Sequence, residues 1–254
     1  MIRLSANLGF LWTDLRLPDA IRAAAAAGFD AVELHWPYDV PAAEVRGALD
    51  ETGLPVLSLN TPRGDPARGE NGLGALPGRE AEARAASGQA FDYGAAIGAR
   101  HVHVMAGVAA GPAAHDAYLD TLAHAAERAR RERMGVLIEP LNPRDAPGYF
   151  LAGADQAAGI IAALGRPEVR LMFDCYHLQI LHGDLTRLFQ RLAPVTGHVQ
   201  FAGVPDRGAP DEGEIAYDRL LPAIAALGHD GFFGAEYRPR GATGDGLGWM
   251  RVFR

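Results

Sequence analysis

A chain of 254 residues, 48% hydrophobic and 22% charged, has enough apolar material for one large core, and no apolar run reaches the roughly 18 uncharged residues of a membrane span. A net charge of −7 excludes the basic surface that nonspecific nucleic-acid binding needs. A single cysteine, Cys175, excludes an internal disulfide and a multi-thiolate metal site. The start, MIRLSANLGF, lacks the apolar core of a signal peptide, so a cytoplasmic protein with no membrane partner is expected.

Short apolar runs alternate with Ala-rich helical runs along the whole chain. In order, the pattern predicts strand 4–10, helix 18–27 with Gly28 as its cap, strand 31–36, helix 41–51, strand 56–61, helix 79–97, strand 101–106 and helix 114–133. It continues with strand 136–141, helix 154–164, strand 169–175, helix 184–192, strand 197–202, helix 217–227, strand 232–237 and a truncated eighth helix in 246–253. Eight strand-helix units of about 30 residues predict a (β/α)8 TIM barrel, with a doubly wound open sheet as the alternative. A single domain over 1–254 is expected, because no linker, low-complexity tract or charge block divides the chain.

The longest non-periodic segments, 64–78, 143–149 and 203–213, follow strands three, five and seven. In a barrel all three open on the catalytic face, and the Gly-rich first one reads as a lid. Its GLGALPG run is only a loose match to a nucleotide loop, and no helix-opening GxGxxG occurs, so no nucleotide cofactor is expected.

Within this frame the run GVLIEPLN, residues 135–142, is unusual, since a buried apolar strand ends in the carboxylate of Glu139. A charge taken from water must be paired, bind a metal or change its pKa. The next three strands each carry one polar group in an apolar run: Asp174, Gln200 and Glu236. Alternation puts Glu139 opposite Val136 and Ile138, and Glu236 opposite Phe233, Ala235 and Tyr237, so the polar groups point inward. Three carboxylates and an amide oxygen in one cavity repel unless a cation compensates them. All-oxygen ligation favours Mg²⁺ or Mn²⁺. For any one of the four, a buried ion pair or a strand-end hydrogen bond is the plainer reading.

The runs LSANLGF, GREAEAR, LIEPLN, FDCYHLQILHGDLTR, HVQFAGVPDRGAPDEGEIAYDRL and GAEYRPRGATGDGLGWM resemble the hydroxypyruvate isomerase family of xylose-isomerase-like TIM barrels, over nearly the whole chain. The resemblance implies a divalent metal held by Glu139, Asp174, Gln200 and Glu236, with Glu139 and Glu236 as the paired proton donor and acceptor. It implies conversion of hydroxypyruvate to 2-hydroxy-3-oxopropanoate (tartronate semialdehyde), and a sister activity on 2-oxo-tetronates. Moving a carbonyl to the next carbon through an enediolate needs such a pair of groups, in either order, with a metal-assisted hydride shift as the rival route. The partner is then a small hydroxy-oxo-acid, and a homo-oligomer is compatible with the pattern.

Further candidates lie around these four. His177, in the D-x-Y-H element begun by Asp174, is expected to bond the substrate or orient a ligand. His103 is expected to line the pocket if it points inward. Arg207, in a PDRG turn, is a candidate for a substrate carboxylate, and Glu70 sits in the lid near the mouth. Against each stands a core or solvated reading. Cys175 alternates away from Asp174 and reads as packing, while Phe10, Trp12 and Trp36 are wall or core. Two positions depart from the family pattern: Asn71 replaces the arginine of a GERG run, and Val204 replaces an asparagine. Rival functions are a sugar epimerase, for which histidine is usual in place of Gln200, an apurinic-site endonuclease, and a catalytically silent metal-binding barrel.

Overall fold

The computed structural model describes residues 2–254. Eight strands run parallel: β1 (Leu4–Asn7), β2 (Ala31–Glu33), β3 (Ser58–Asn60), β4 (His101–His103), β5 (Gly135–Ile138), β6 (Val169–Asp174), β7 (Thr196–Phe201) and β8 (Phe233–Ala235). They pair in the order β2-β1-β8-β7-β6-β5-β4-β3. The seam between β2 and β3 is joined by the Val32 to Val56 bridge and by hydrogen bonds such as Leu34 N to Ser58 O at 2.9 Å, so the barrel is nearly closed. This is the TIM barrel that the alternating pattern predicts, and the open sheet is set aside.

The helices α1 (Leu17–Ala26), α2 (Ala42–Thr52), α3 (Glu80–Ile97), α4 (Pro112–Glu132), α5 (Ala154–Leu164), α6 (Cys175–Leu181), α7 (Leu185–Leu192) and α8 (Tyr217–Ala226) cover the outer face. Their buried stripes are rich in alanine. In α4 these are Ala114, Ala117, Ala125, Ala126 and Ala129, small enough to bring the helix against the strands around Tyr118 and Leu122. Val136 and Ile138 join this apolar cluster, as do Phe233, Ala235 and Tyr237, so the alternation expected for β5 and β8 holds. Each fully buried ring such as Phe91 stabilises the fold by about 1.5–3 kcal/mol. No helix of the described residues is long and apolar enough to cross a membrane.

The structure differs from the pattern in three ways. The strands are shorter, because at the upper rim the chain splays into loops: Glu139 and Glu236 lie one residue past their strands. A helix not foreseen, α6, begins directly after β6, where the Asp174 carboxylate accepts from Tyr176 N at 2.7 Å and caps it. Seven residues show no helical period, and no breaker separates them from the strand. The truncated eighth helix is a pair of 3₁₀ turns, Thr243–Gly246 and Gly248–Phe253, the second seating Trp249 and Phe253 in the core. Glycines at 244, 246 and 248 disfavour an α-helix there.

Candidate active site

Glu139, Asp174, Gln200 and Glu236 stand at the upper ends of β5 to β8, on neighbouring strands, with Asp174 paired to Gln200 and Gln200 to Gly234 in register. All four are buried, at 6%, 1%, 2% and 5% exposure. Glu139 and Glu236 line a cavity of about 150 Å³, walled further by Phe10, His35, Trp36, His103, His177 and Arg207. A larger surface hollow of about 490 Å³ lies near Tyr217 and Trp249, but no buried unpaired side chain of the described residues faces it.

Glu139 Oε1, Asp174 Oδ2, Gln200 Oε1 and Glu236 Oε2 are buried and have no hydrogen-bond partner. Native interiors rarely leave acceptors unpaired. Four oxygen acceptors orphaned on adjacent strand ends are the donor set of a hard cation, so the residues fit a divalent metal. Ligand atoms of Glu139, Asp174 and His177 also lie within 4.8 Å of one another, a possible metal-binding triad. The histidine of that triad has its own constraint. Asn142 N donates to His177 Nδ1 at 3.0 Å, so the neutral ring carries its proton on Nε2, 3.7 Å from Asp174 and 3.9 Å from Glu139. A protonated nitrogen donates and does not ligate. Burial, with Arg207 adding to it, holds His177 well below the usual histidine range and so keeps it neutral.

The two glutamates are pushed in opposite directions. Burial, then the charges of Glu236 and Asp174, raise Glu139 well above the carboxylate range. Burial also opposes ionisation of Glu236, but the Arg207 guanidinium and the His35 hydrogen bond outweigh it and bring Glu236 down to about 2. Burial raises Asp174 to about 7, against the pull of Arg207. His103, pushed down to about 4 by burial, donates from Nδ1 to Asn60 Oδ1 at 3.2 Å and so presents Nε2 as an acceptor.

Arg207 reaches 3.4 Å from Glu236, 3.6 Å from Asp174 and 3.5 Å from Asp145. Its guanidinium lies over Phe10 at 4.7 Å and Tyr176 at 5.1 Å, and its Nε is unpartnered. Glu70 does not line the cavity. Its carboxylate takes Arg79 Nη1 at 2.6 Å and Asp65 N at 2.8 Å, tying the lid segment to itself. That segment also packs down at Gly72, where a Cβ would meet the Met105 backbone at 2.7 Å. Asn71 does line the cavity, whereas Val204 is buried in the apolar cluster. Phe10 and Trp36 wall the pocket; Trp12 and Cys175 are core.

Sequence reasoning missed His35, whose Nε2 bonds Glu236 Oε1 at 2.9 Å, and Glu33, buried beneath Gln200. The signal was present in AVELHW, where polar groups alternate into the end of an apolar strand, but it was weaker than at β5 to β8.

The xylose isomerase-like TIM barrel family model matches residues 21–253. The chain belongs to that family. A 2-oxo-tetronate isomerase of Cupriavidus necator is 45% identical over 259 residues, spanning 100% of this chain and 99% of the relative. A hydroxypyruvate isomerase of Escherichia coli is 36% identical over 258 residues, spanning 100% of both. A crystal structure of an AP endonuclease, family 2, from Brucella melitensis superposes with a TM-score of 0.96 at 38% identity, again over 100% of both chains. With full-length relatives named as isomerases, this xylose isomerase-like barrel is an isomerase-type enzyme.

In this barrel His35 is held by a close approach. A Cβ on Gly9 would fall 2.0 Å from His35 Nδ1, so only glycine leaves the ring in place beside Glu236. Gly9→Ala is expected to destabilise the protein by about 1–3 kcal/mol through overpacking. It should also lower kcat as His35 leaves Glu236. Urea unfolding beside turnover measurements checks both, and an unchanged kcat would remove His35 from the account.

Proposed function

We propose that the protein interconverts hydroxypyruvate and 2-hydroxy-3-oxopropanoate (tartronate semialdehyde) by proton transfer through an enediolate. The observation that carries this reading is the convergence of four orphaned oxygens with two glutamates of opposed proton affinity. Glu139, Asp174, Gln200 and Glu236 would hold Mg²⁺ or Mn²⁺, which when bound supplies positive charge against the negative charge developing on the substrate oxygens. One glutamate takes a proton from C3 and the other returns one at C2, while the hydroxyl proton passes from the C3 oxygen to the C2 oxygen. Glu139 and Glu236, with proton affinities pushed apart, suit giving and accepting at neighbouring carbons. Arg207, pre-positioned between two rings, binds the substrate carboxylate, and His177 Nε2–H and His103 Nε2 supply a donor and an acceptor to its oxygens.

The 150 Å³ cavity suits a three- or four-carbon acid. The 45% identity to the Cupriavidus necator enzyme favours a second reading, isomerisation of a 2-oxo-tetronate. A net charge of −7 and so small a cavity weigh against a nucleic-acid substrate. The test is an isomerase assay on hydroxypyruvate and 2-oxo-tetronates with Mg²⁺ or Mn²⁺ in deuterated water. Deuterium at carbon in the product is expected; complete retention of substrate hydrogen would replace proton transfer by a hydride shift.

A further inference from the structure

Below the four strand-end groups lies a second polar layer. Glu33, at the end of β2, is 1% exposed. Its Oε2 accepts from Gln200 Nε2 at 2.7 Å; its Oε1 accepts from Ser5 Oγ and lies 3.0 Å from His198 Nε2. Gln200 Oε1, on the other end of the same amide, is buried and unpartnered.

An amide is nearly symmetric in shape, and only its partners decide which end faces which way. A carboxylate has acceptors alone. Glu33 therefore admits only the NH₂ end of Gln200 and turns the oxygen away from itself, at the strand end where Gln200 pairs in register with Asp174. The opposite orientation would set an amide oxygen against a carboxylate and an NH₂ group into the cation site. The layer is also built without slack. A Cβ on Gly234 of β8 would come within 2.2 Å of Glu33 Oε1 and 2.9 Å of Gln200 Cγ.

We propose that Glu33 is a positioning residue that fixes the amide of Gln200 so that its oxygen, and not its nitrogen, faces the divalent-cation site. The inference rests on the proposed ligand role of Gln200. Partners behind metal ligands typically change metal affinity by about 10- to 100-fold when removed. Glutamine at position 33 keeps the shape of the side chain but accepts either end of the Gln200 amide, so orientation control is lost while packing stays.

The experiment measures Mn²⁺ binding to the metal-free protein by titration calorimetry for wild type, Glu33→Gln, Gln200→Ala and the double variant, beside metal-free melting temperatures. Glu33→Gln is expected to weaken Mn²⁺ by about 10- to 100-fold, and to add no further loss in the Gln200→Ala background. Normal affinity in Glu33→Gln while Gln200→Ala is weakened would overturn the positioning role and leave the metal reading standing. An equal further loss in the double variant would overturn it too, because Glu33 would then act independently of Gln200. Normal affinity in Gln200→Ala would remove the ligand role and this inference with it. If Glu33→Gln does not fold, the wild-type protein still decides: the side-chain amide protons of Gln200, assigned by their loss in Gln200→Ala, are expected to exchange slowly with solvent, and rapid exchange would contradict the bond to Glu33.

Discussion

Glu139→Gln and Glu236→Gln are each expected to lower kcat on the isomerised acid by about 10²- to 10⁴-fold, the range for loss of a positioned acid or base. Each change also takes a negative charge from one orphaned oxygen, Glu139 Oε1 or Glu236 Oε2, so Mn²⁺ affinity should fall together with turnover. The two variants should also differ from each other. Glu236 is paired with Arg207 and His35, and its removal leaves a buried guanidinium short of one of its carboxylates, at 3.4 Å. Glu139 makes no comparably close contact with a cation. Glu236→Gln should therefore lower stability as well as kcat, while Glu139→Gln, by replacing a carboxyl whose charged form burial opposes, should raise stability at neutral pH. Turnover, Mn²⁺ titration and urea unfolding on the same samples separate the three effects, and full activity in either variant would remove that glutamate from the proton-transfer pair.

The second large effect is a pH dependence of stability that reverses its importance when metal is supplied. Asp174 is raised from 3.8 to about 7, and Glu139 is raised as well, in both cases chiefly by burial. A carboxyl whose folded pKa is raised holds its proton where the unfolded chain has lost it. Its contribution to stability is complete below about pH 4 and is lost as pH rises through about 7, at about 1.4 kcal/mol per pH unit for each proton of difference. Glu236 is lowered to about 2, so its contribution, lost only in strong acid, is flat from pH 5 to 8. Burial lowers His101 and His103 to about 4 and His177 well below the histidine range, so these groups add stability as pH rises to about 6.5; in EDTA the melting temperature should therefore fall above about pH 7, once that gain is complete. Ligation needs the deprotonated carboxylates, so the added stability from Mn²⁺ should grow over the same rise in pH. A flat profile in EDTA together with a constant metal increment would contradict the buried, mutually repelling carboxylates.

The barrel and its four strand-end polar groups were legible in the sequence for one physical reason. A lone carboxylate or amide in an apolar strand is too costly to bury without purpose, and four of them recurred at the spacing of a strand-helix unit. His177, His103 and Arg207 were legible as neighbours, and the structure puts all three around the cavity. Glu70 misled because proximity in sequence to a mouth does not fix where a side chain turns; Arg79, nine residues on, captures it. AVELHW carries a weak signal for Glu33 and His35, but their pairings were not legible, since the partners Gln200 and Glu236 lie 167 and 201 residues away. No local periodicity reports a contact across the closure of a barrel. The α6 helix escaped because its cap, Asp174, had already been assigned to the strand it ends.

The cavity draws its walls from both halves of the barrel. The four groups that would carry metal and proton transfer all come from β5 to β8, whereas Phe10, His35, Trp36, Asn60, Asn71 and His103 come from β1 to β4 and the loops after them. Part of the recognition surface is thereby encoded apart from the four groups, while Arg207 and His177 stay in the same stretch as them. A change such as that at Asn71 can retune which acid is accepted while the reacting centre, more than 60 residues further on, is inherited unaltered. The barrel is in this sense a fixed reaction head with an exchangeable mouth, and grafting the segment 64–78 between relatives is the natural way to move substrate preference without rebuilding catalysis.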